Sequence, residues 1–383
     1  MTVEDQLKAV DEIYEGERPK VEPDYYEAAK IFENMTMNKE VLPYLLNELF
    51  TLQEIKFVNK LPATAEELAE EFHLDVEETR STLDRLVHMG RIISTRKPPF
   101  TYAPHMNAIA FRDSIGVGMN AMKIDWMEHI KAVKLMVLWV KMEYNEYVAA
   151  SVKHEMRVIP KYESIKDVPG VMFCENMKEI IDKAATDHKL VTARCVCRSY
   201  ASYLSEGKDN PDYCNVIEEH SGADGHCYSV SRQAEYFATQ RGAYTPTYEE
   251  AQQRLKESDE AACIYTTPNT RDTTFVCSCC ADCCGLSEYE KVGFEVRKPS
   301  RFRPSVNTDK CIGCKKCETR CAYAAIQVVD KKATVYEDKC MGCGNCVVTC
   351  PTKALKMKIV HDTDWVPDVP YVEGWYMPLT EEK

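Results

Sequence analysis

From residue 38 to about 104, apolar positions recur at helical spacing in short runs separated by strongly charged residues. Leu42, Leu45 and Leu46 open one run, Ala65 to Phe72 forms a second, and Asp75 stands as the N-cap of a third that continues through Leu83 and Leu86 to Gly90. The pattern then changes: Arg91-Ile92-Ile93-Ser94-Thr95 and Phe100-Thr101-Tyr102 predict two short strands. A stretch rich in Met, Trp and Leu from Met119 to Tyr147 returns to helical spacing and predicts one long connecting helix, its methionines serving core or interface. Further on, Thr247 and Glu250 have the spacing of a capping box. Near the C-terminus, Ile326-Gln327-Val328-Val329 and Ala333-Thr334-Val335-Tyr336 flank the polar Asp330-Lys331-Lys332, which predicts a hairpin. The longest apolar run, Leu135 to Val140, is bracketed by Lys134 and Lys141, so no membrane insertion is expected.

These elements describe a multidomain α+β chain. The expected division is an N-terminal extension over 1–37, a helical domain with a strand pair over 38–115, a connecting helix over 116–157, a central domain over 158–300, a C-terminal module over 301–357 and a tail over 358–383. The basic, proline-bearing stretch Arg297 to Pro304 reads as the linker into the C-terminal module. The tail carries Trp365 and Trp375 among Pro367, Pro370 and Pro378, so it is extended and must pack its aromatics on this chain or on a partner.

Composition changes the picture at one point, the 19 cysteines. The first residues, Met1 to Lys8, show neither a basic nor an apolar leader region, so the expected compartment is the cytoplasm. Thiols there stay reduced, which makes metal ligation the reading rather than a disulfide framework. A net charge of -13 argues against a nucleic-acid partner.

Eight of the cysteines form two runs at an offset of 29 residues: Cys311, Cys314, Cys317 and Cys321, then Cys340, Cys343, Cys346 and Cys350, the last followed by Pro351. Their surroundings repeat as well, Asp309-Lys310 matching Asp338-Lys339. Three thiolates on one tight loop reach one cubane, while the fourth, on the following helix, reaches the other. The spacing therefore assigns Cys311, Cys314, Cys317 and Cys350 to one [4Fe-4S] cluster, and Cys340, Cys343, Cys346 and Cys321 to a second. This segment resembles the bacterial dicluster ferredoxins, departing from them at Ala322, where the first run normally has proline.

Upstream stand Cys195-Val196-Cys197-Arg198, then Cys214 and Cys227, then Cys277, Cys279, Cys280, Cys283 and Cys284 packed into eight positions. Over roughly residues 155–357 the chain resembles iron–sulfur proteins of anaerobes that join such a cysteine-rich region to a dicluster ferredoxin. The resemblance implies an oxygen-sensitive protein with one or two further clusters in the central domain. Vicinal side chains diverge, so Cys279-Cys280 and Cys283-Cys284 cannot all face one cubane, and two sites are expected. A zinc site, or a noncubane cluster on Cys283-Cys284-Gly285, remains open beside the cluster reading. Arg198 is expected to donate to cluster sulfur or a carboxylate, and Cys174 and Cys263 to lie in the core.

Residues 38–104 resemble a winged helix-turn-helix, but Glu66, Glu67, Glu70, Glu71, Glu77 and Glu78 would repel phosphate, which favours protein docking. The nine histidines show no metal-ligand spacing, with His226 beside Cys227 the one weak candidate ligand. No dinucleotide fingerprint and no phosphate loop occurs. The expected function is an electron-transfer subunit serving a flavin- or metal-containing oxidoreductase, in a hetero- or homo-oligomer, with no catalytic site of its own. A redox-responsive regulator and an enzyme with an open-coordinated central cluster are the alternatives.

Overall fold

The computed structural model describes residues 2–31, 40–95, 98–105, 108–151, 155–204, 227–241, 243–291 and 293–369. Cys214, His226, Tyr371, Trp375 and Tyr376 lie outside them.

The N-terminal part is a set of short capped helices. Thr51 and Glu54 cap Leu52–Val58 reciprocally, Thr64 and Glu67 do the same for Ala65–Phe72, and the Asp75 carboxylate accepts from the Glu78 N–H at the start of Val76–His88. Between and after these helices, Ala63–Thr64, Thr101–Ala103 and Ile93–Ser94 pair antiparallel, with Thr101–Ala103 in the middle.

The expected single connecting helix is two helices, Ala108–Ala121 and Ile130–Ser151. Lys123 takes a positive φ of 53° and Asp125 caps the short turn Trp126–His129, so the chain reverses between them. Trp126 and Trp139 are fully buried there, each a contribution of about 2–3 kcal/mol by burial alone. Gly116 and Gly118 explain how closely the first of these helices packs. A Cβ on Gly118 would lie 2.4 Å from the Met89 carbonyl carbon, and one on Gly116 would lie 2.5 Å from the Val196 side chain. The same apolar core continues from Leu45 and Leu86 through Trp139 to Val196, Tyr200, Tyr289 and Val296, across the boundaries the sequence suggests.

The central part is a six-stranded sheet in the order Val191–Ala193, Cys227–Ser229, Phe275–Cys279, Ile264–Pro268, Met156–Ile159, Arg297–Lys298. All neighbours are antiparallel except the last pair. Helices Met177–Thr186 and Tyr248–Glu260 cover one face with Ile180, Ile181, Ala251 and Leu255, and the Thr247/Glu250 capping box is present.

The C-terminal module pairs Phe302–Val306 with Leu355–Ile359 and folds Ile326–Val329 against Lys332–Val335 as the expected hairpin. Its duplication extends to the backbone. Positive φ recurs at the 29-residue offset in Gly313 and Gly342, Lys315 and Gly344, and Ala324 and Lys353.

The stretch expected as a linker is instead a buried seam. Arg297 pairs with Glu290, Arg301 makes a two-pronged pair with Glu175 at 2.7 and 2.8 Å, and Arg303 donates to the carbonyls of Ser300 and Phe302. Guanidinium groups remain charged when buried only with such partners. The start of the tail closes over this seam: Trp365 donates to the Pro299 carbonyl at 2.8 Å, and Arg271 binds Thr363, Val366 and Asp368.

Candidate metal centres

In the C-terminal module the two loops curl around separate cavities of about 20 Å³ each. One is lined by Cys311, Cys314, Cys317 and Cys350, the other by Cys321, Cys340, Cys343 and Cys346. Each loop turns through glycine at positive φ, where a side chain would strike backbone: 2.7 Å from the Lys331 carbonyl oxygen at Gly313, and 2.2 Å from that of Phe302 at Gly342. Backbone amides already point at the sulfurs. Ala333, Ala325 and Ala354 donate to Cys311, Cys321 and Cys350, each at 3.3 Å, as expected where thiolate ligands need offsetting donors. The first cavity lies at the surface, with Cys314 exposed and Ile312 66% exposed beside it. The second is turned inward, where the Lys161 N–H donates to the Cys343 carbonyl and Asn345 donates to the Ala262 carbonyl.

In the central part, six cysteines form a closed ring. Cys195 touches Cys197 and Cys227 through side-chain hydrogen bonds, Cys197 continues to Cys284, Cys284 to Cys279, Cys279 to Cys277, and Cys277 back to Cys227. Secondary structure accounts for each position. Cys277 and Cys279 alternate along Phe275–Cys279 and so share a face, and the register that sets Tyr228 opposite Val276 brings Cys227 level with Cys277. Cys195 follows the edge strand, Cys197 lies in the first turn of Val196–Leu204, and Cys284 immediately precedes Gly285–Lys291. Gly285 lies against the ring: a Cβ there would make ordinary contact with the Arg112 guanidinium at 3.4 Å and the Cys197 sulfur at 3.9 Å. The ring borders a cavity of about 210 Å³ with Val117, Phe237 and Leu286 on its walls.

The thiols alternate in acidity. Hydrogen bonds from ring neighbours hold Cys197, Cys227 and Cys279 well below the ordinary thiol range and push Cys195, Cys277 and Cys284 well above it. Arginines surround the ring: Arg112 donates to the Cys197 sulfur at 3.2 Å, Arg198 acts on Cys195 and Cys227, and Arg297 acts on Cys284 and Cys279. Three buried guanidiniums suit a group that carries negative charge. Arg198 itself donates to the Cys263 sulfur at 3.2 Å and to the Ser278 carbonyl. Arg112 escaped the sequence reading, its signal being an Arg-Asp pair in an otherwise apolar helix. Arg297 was assigned to the linker.

The remaining described central cysteines stand outside the ring. Cys280 and Cys283, with Asp282, bring their donor atoms within 4.8 Å of one another, a compact triad of mononuclear dimensions. Cys174 and Cys263 are buried in the core, as expected.

Ring and inner cavity adjoin. Cys279, Cys284 and Cys277 pack in one apolar cluster with Tyr323, Met341 and Cys343, and the Tyr323 hydroxyl is buried without a hydrogen-bond partner. Among the described residues, no helix is long and apolar enough to cross a membrane.

Residues 304–357 match the family model of the 4Fe-4S dicluster domain. No curated protein and no solved structure matches the chain. The paired four-thiol cavities and this match together identify the C-terminal segment as a 4Fe-4S dicluster domain.

Proposed function

We propose that the chain is a one-electron relay running from the exposed Cys314 loop, through the inner ferredoxin site, to an iron–sulfur group held by the six-cysteine ring. The observation that carries this is continuity: Cys314 is exposed, the two cavities share the packed cluster of Cys311, Cys317, Cys321 and Cys346, and Cys343 packs against Cys279 and Cys284. The ligand sets are Cys311, Cys314, Cys317 and Cys350 for the outer cluster, and Cys321, Cys340, Cys343 and Cys346 for the inner one. [4Fe-4S] clusters supply the one-electron chemistry. The protein supplies spacing and amide and guanidinium donors to sulfur.

A redox protein is the partner at the outer loop. Lys310, Lys315, Lys316 and Lys331 are exposed on the Cys314 loop and the adjoining hairpin, against Asp309, Asp330 and the half-buried Glu318, so this face suits an acidic partner although the chain is acidic overall. At the opposite end, the order of helices and the three-stranded sheet within 42–103 supports a winged-helix reading. Glu66, Glu67, Glu70, Glu71, Glu77 and Glu78 are all exposed on it, which favours protein docking over DNA.

Iron and sulfide analysis of full-length protein purified under anaerobic conditions tests the relay. Iron clearly above the roughly eight atoms of two cubanes is expected. A value of eight, with zinc in addition, would end the relay at the ferredoxin domain.

A further inference from the structure

The central ring raises a problem of stoichiometry. Each iron at a cubane corner takes one outside thiolate, so one cubane needs four and two separate cubanes need eight. Among the described residues the ring supplies six. Of the two further described cysteines nearby, Cys280 also lines the ring's cavity, but its sulfur gathers with Asp282 and Cys283 in a separate triad, and Cys283 does not line the cavity. Strand alternation and the divergence of adjacent side chains explain that separation, since Cys279 faces the ring and Cys280 follows it directly.

The ring thiols are also not gathered as a mononuclear ion requires. Tetrahedral zinc with bonds of about 2.3 Å draws its sulfurs to within about 3.8 Å of one another. Among the described residues, only Cys280, Asp282 and Cys283 bring three donors within 4.8 Å of one another. Each ring thiol touches two neighbours, and no three of the six converge on one point.

The chain contains its own standard of size. The two ferredoxin cavities, each lined by four thiols, measure about 20 Å³, whereas the six ring thiols border a cavity of about 210 Å³ that they share with Cys280 and apolar residues such as Val117, Phe237 and Leu286. Three arginines stand at different points around the ring, Arg112 beside Cys197, Arg198 beside Cys195 and Cys227, and Arg297 beside Cys284 and Cys279, so compensating charge is not confined to one half of it.

We infer that the six-thiol ring binds one iron–sulfur group larger than a cubane: a single unit of more than four irons, with cubane-sized halves joined by shared sulfur that fills the two missing thiolate positions. This rests on the reading of the ring as an iron–sulfur site. Cys195 and Cys197 approach from one chain segment, Cys227 from a second, and Cys277, Cys279 and Cys284 from a third, so the unit also ties the edge of the sheet to its middle.

The test uses full-length protein, anaerobically reconstituted, with Cys195→Ser, Cys277→Ser and Cys283→Ser compared by iron content, Mössbauer and electron paramagnetic resonance spectra. The ferredoxin signals serve as the internal control of folding. A single unit predicts that Cys195→Ser and Cys277→Ser disturb the same central signature and lose the same number of irons, more than four, while Cys283→Ser leaves it intact. In the unmodified protein, Mössbauer spectra should assign more than four irons to one magnetically coupled unit, a readout independent of how any variant folds. Separate signatures lost by Cys195→Ser and Cys277→Ser, each with about four irons, would establish two cubanes and overturn the inference while leaving the relay standing. A common loss of only four irons would reduce the unit to one cubane and also overturn it. Central zinc without central iron would remove the underlying reading itself.

Discussion

Cys279 and Cys280 are adjacent in the chain, yet only Cys279 joins the ring, while Cys280 meets Asp282 and Cys283. The same division separates Cys284 from Cys283. Divergence of vicinal side chains was legible from the sequence, but which member of each pair faces inward depends on the register and end of strand Phe275–Cys279 and on the turn that leads into Gly285–Lys291, which the sequence alone does not disclose. In the ferredoxin domain the spacing was more informative, because a tight loop and the following helix leave little freedom. There, Cys350 lines the cavity of Cys311, Cys314 and Cys317 although it is far nearer Cys346 in sequence. Cys350→Ala should therefore alter the same paramagnetic signal as Cys311→Ala. A Cys350→Ala spectrum that follows Cys340→Ala would contradict the crossed ligation.

At the scale of elements, helix Ala108–Ala121 decides how the N-terminal part meets the ring. Arg112 and Gly116 lie one turn apart on one face, so the close contact of Gly116 with Val196 delivers Arg112 to Cys197. No periodicity in the sequence could reveal this, because the partners are 85 residues apart. The amphipathic helices, their caps and the hairpin were legible because their signals are local. The break at Lys123 was not, since the apolar pattern continues on both sides of a turn fixed by tertiary contacts. The basic stretch read as a linker was misplaced for a related reason: Arg301 is surface-like in composition, and its buried partner Glu175 lies 126 residues away. Removing one member of such a pair leaves a buried charge uncompensated. Glu175→Ala is expected to lower unfolding stability by about 3–5 kcal/mol, read by denaturant titration of the full chain under anaerobic conditions. A loss below about 1 kcal/mol would mean that the seam is solvated.

At the scale of the whole molecule, the proposed relay has an exposed basic end and an inner end, joined by the packing of Cys343, Met341 and Tyr323 against Cys277, Cys279 and Cys284. Steering by exposed lysines is screened over about 10 Å at 0.1 M salt. Lys315→Glu with Lys316→Glu should slow reduction by an acidic protein donor by about tenfold or more at low ionic strength, and the difference should shrink as salt is added. An unchanged rate at low salt would move the docking site away from the Cys314 loop. The central claim is that electrons reach the ring through the ferredoxin domain. Its most direct test is anaerobic stopped-flow reduction by reduced flavodoxin, following the central signature in the unmodified chain and in Cys314→Ala. The account predicts that the ferredoxin clusters are reduced first and the central group afterwards in the unmodified chain, and that Cys314→Ala slows the central phase by at least tenfold. A central phase that keeps its full rate in Cys314→Ala, or that precedes reduction of the ferredoxin clusters, would contradict it.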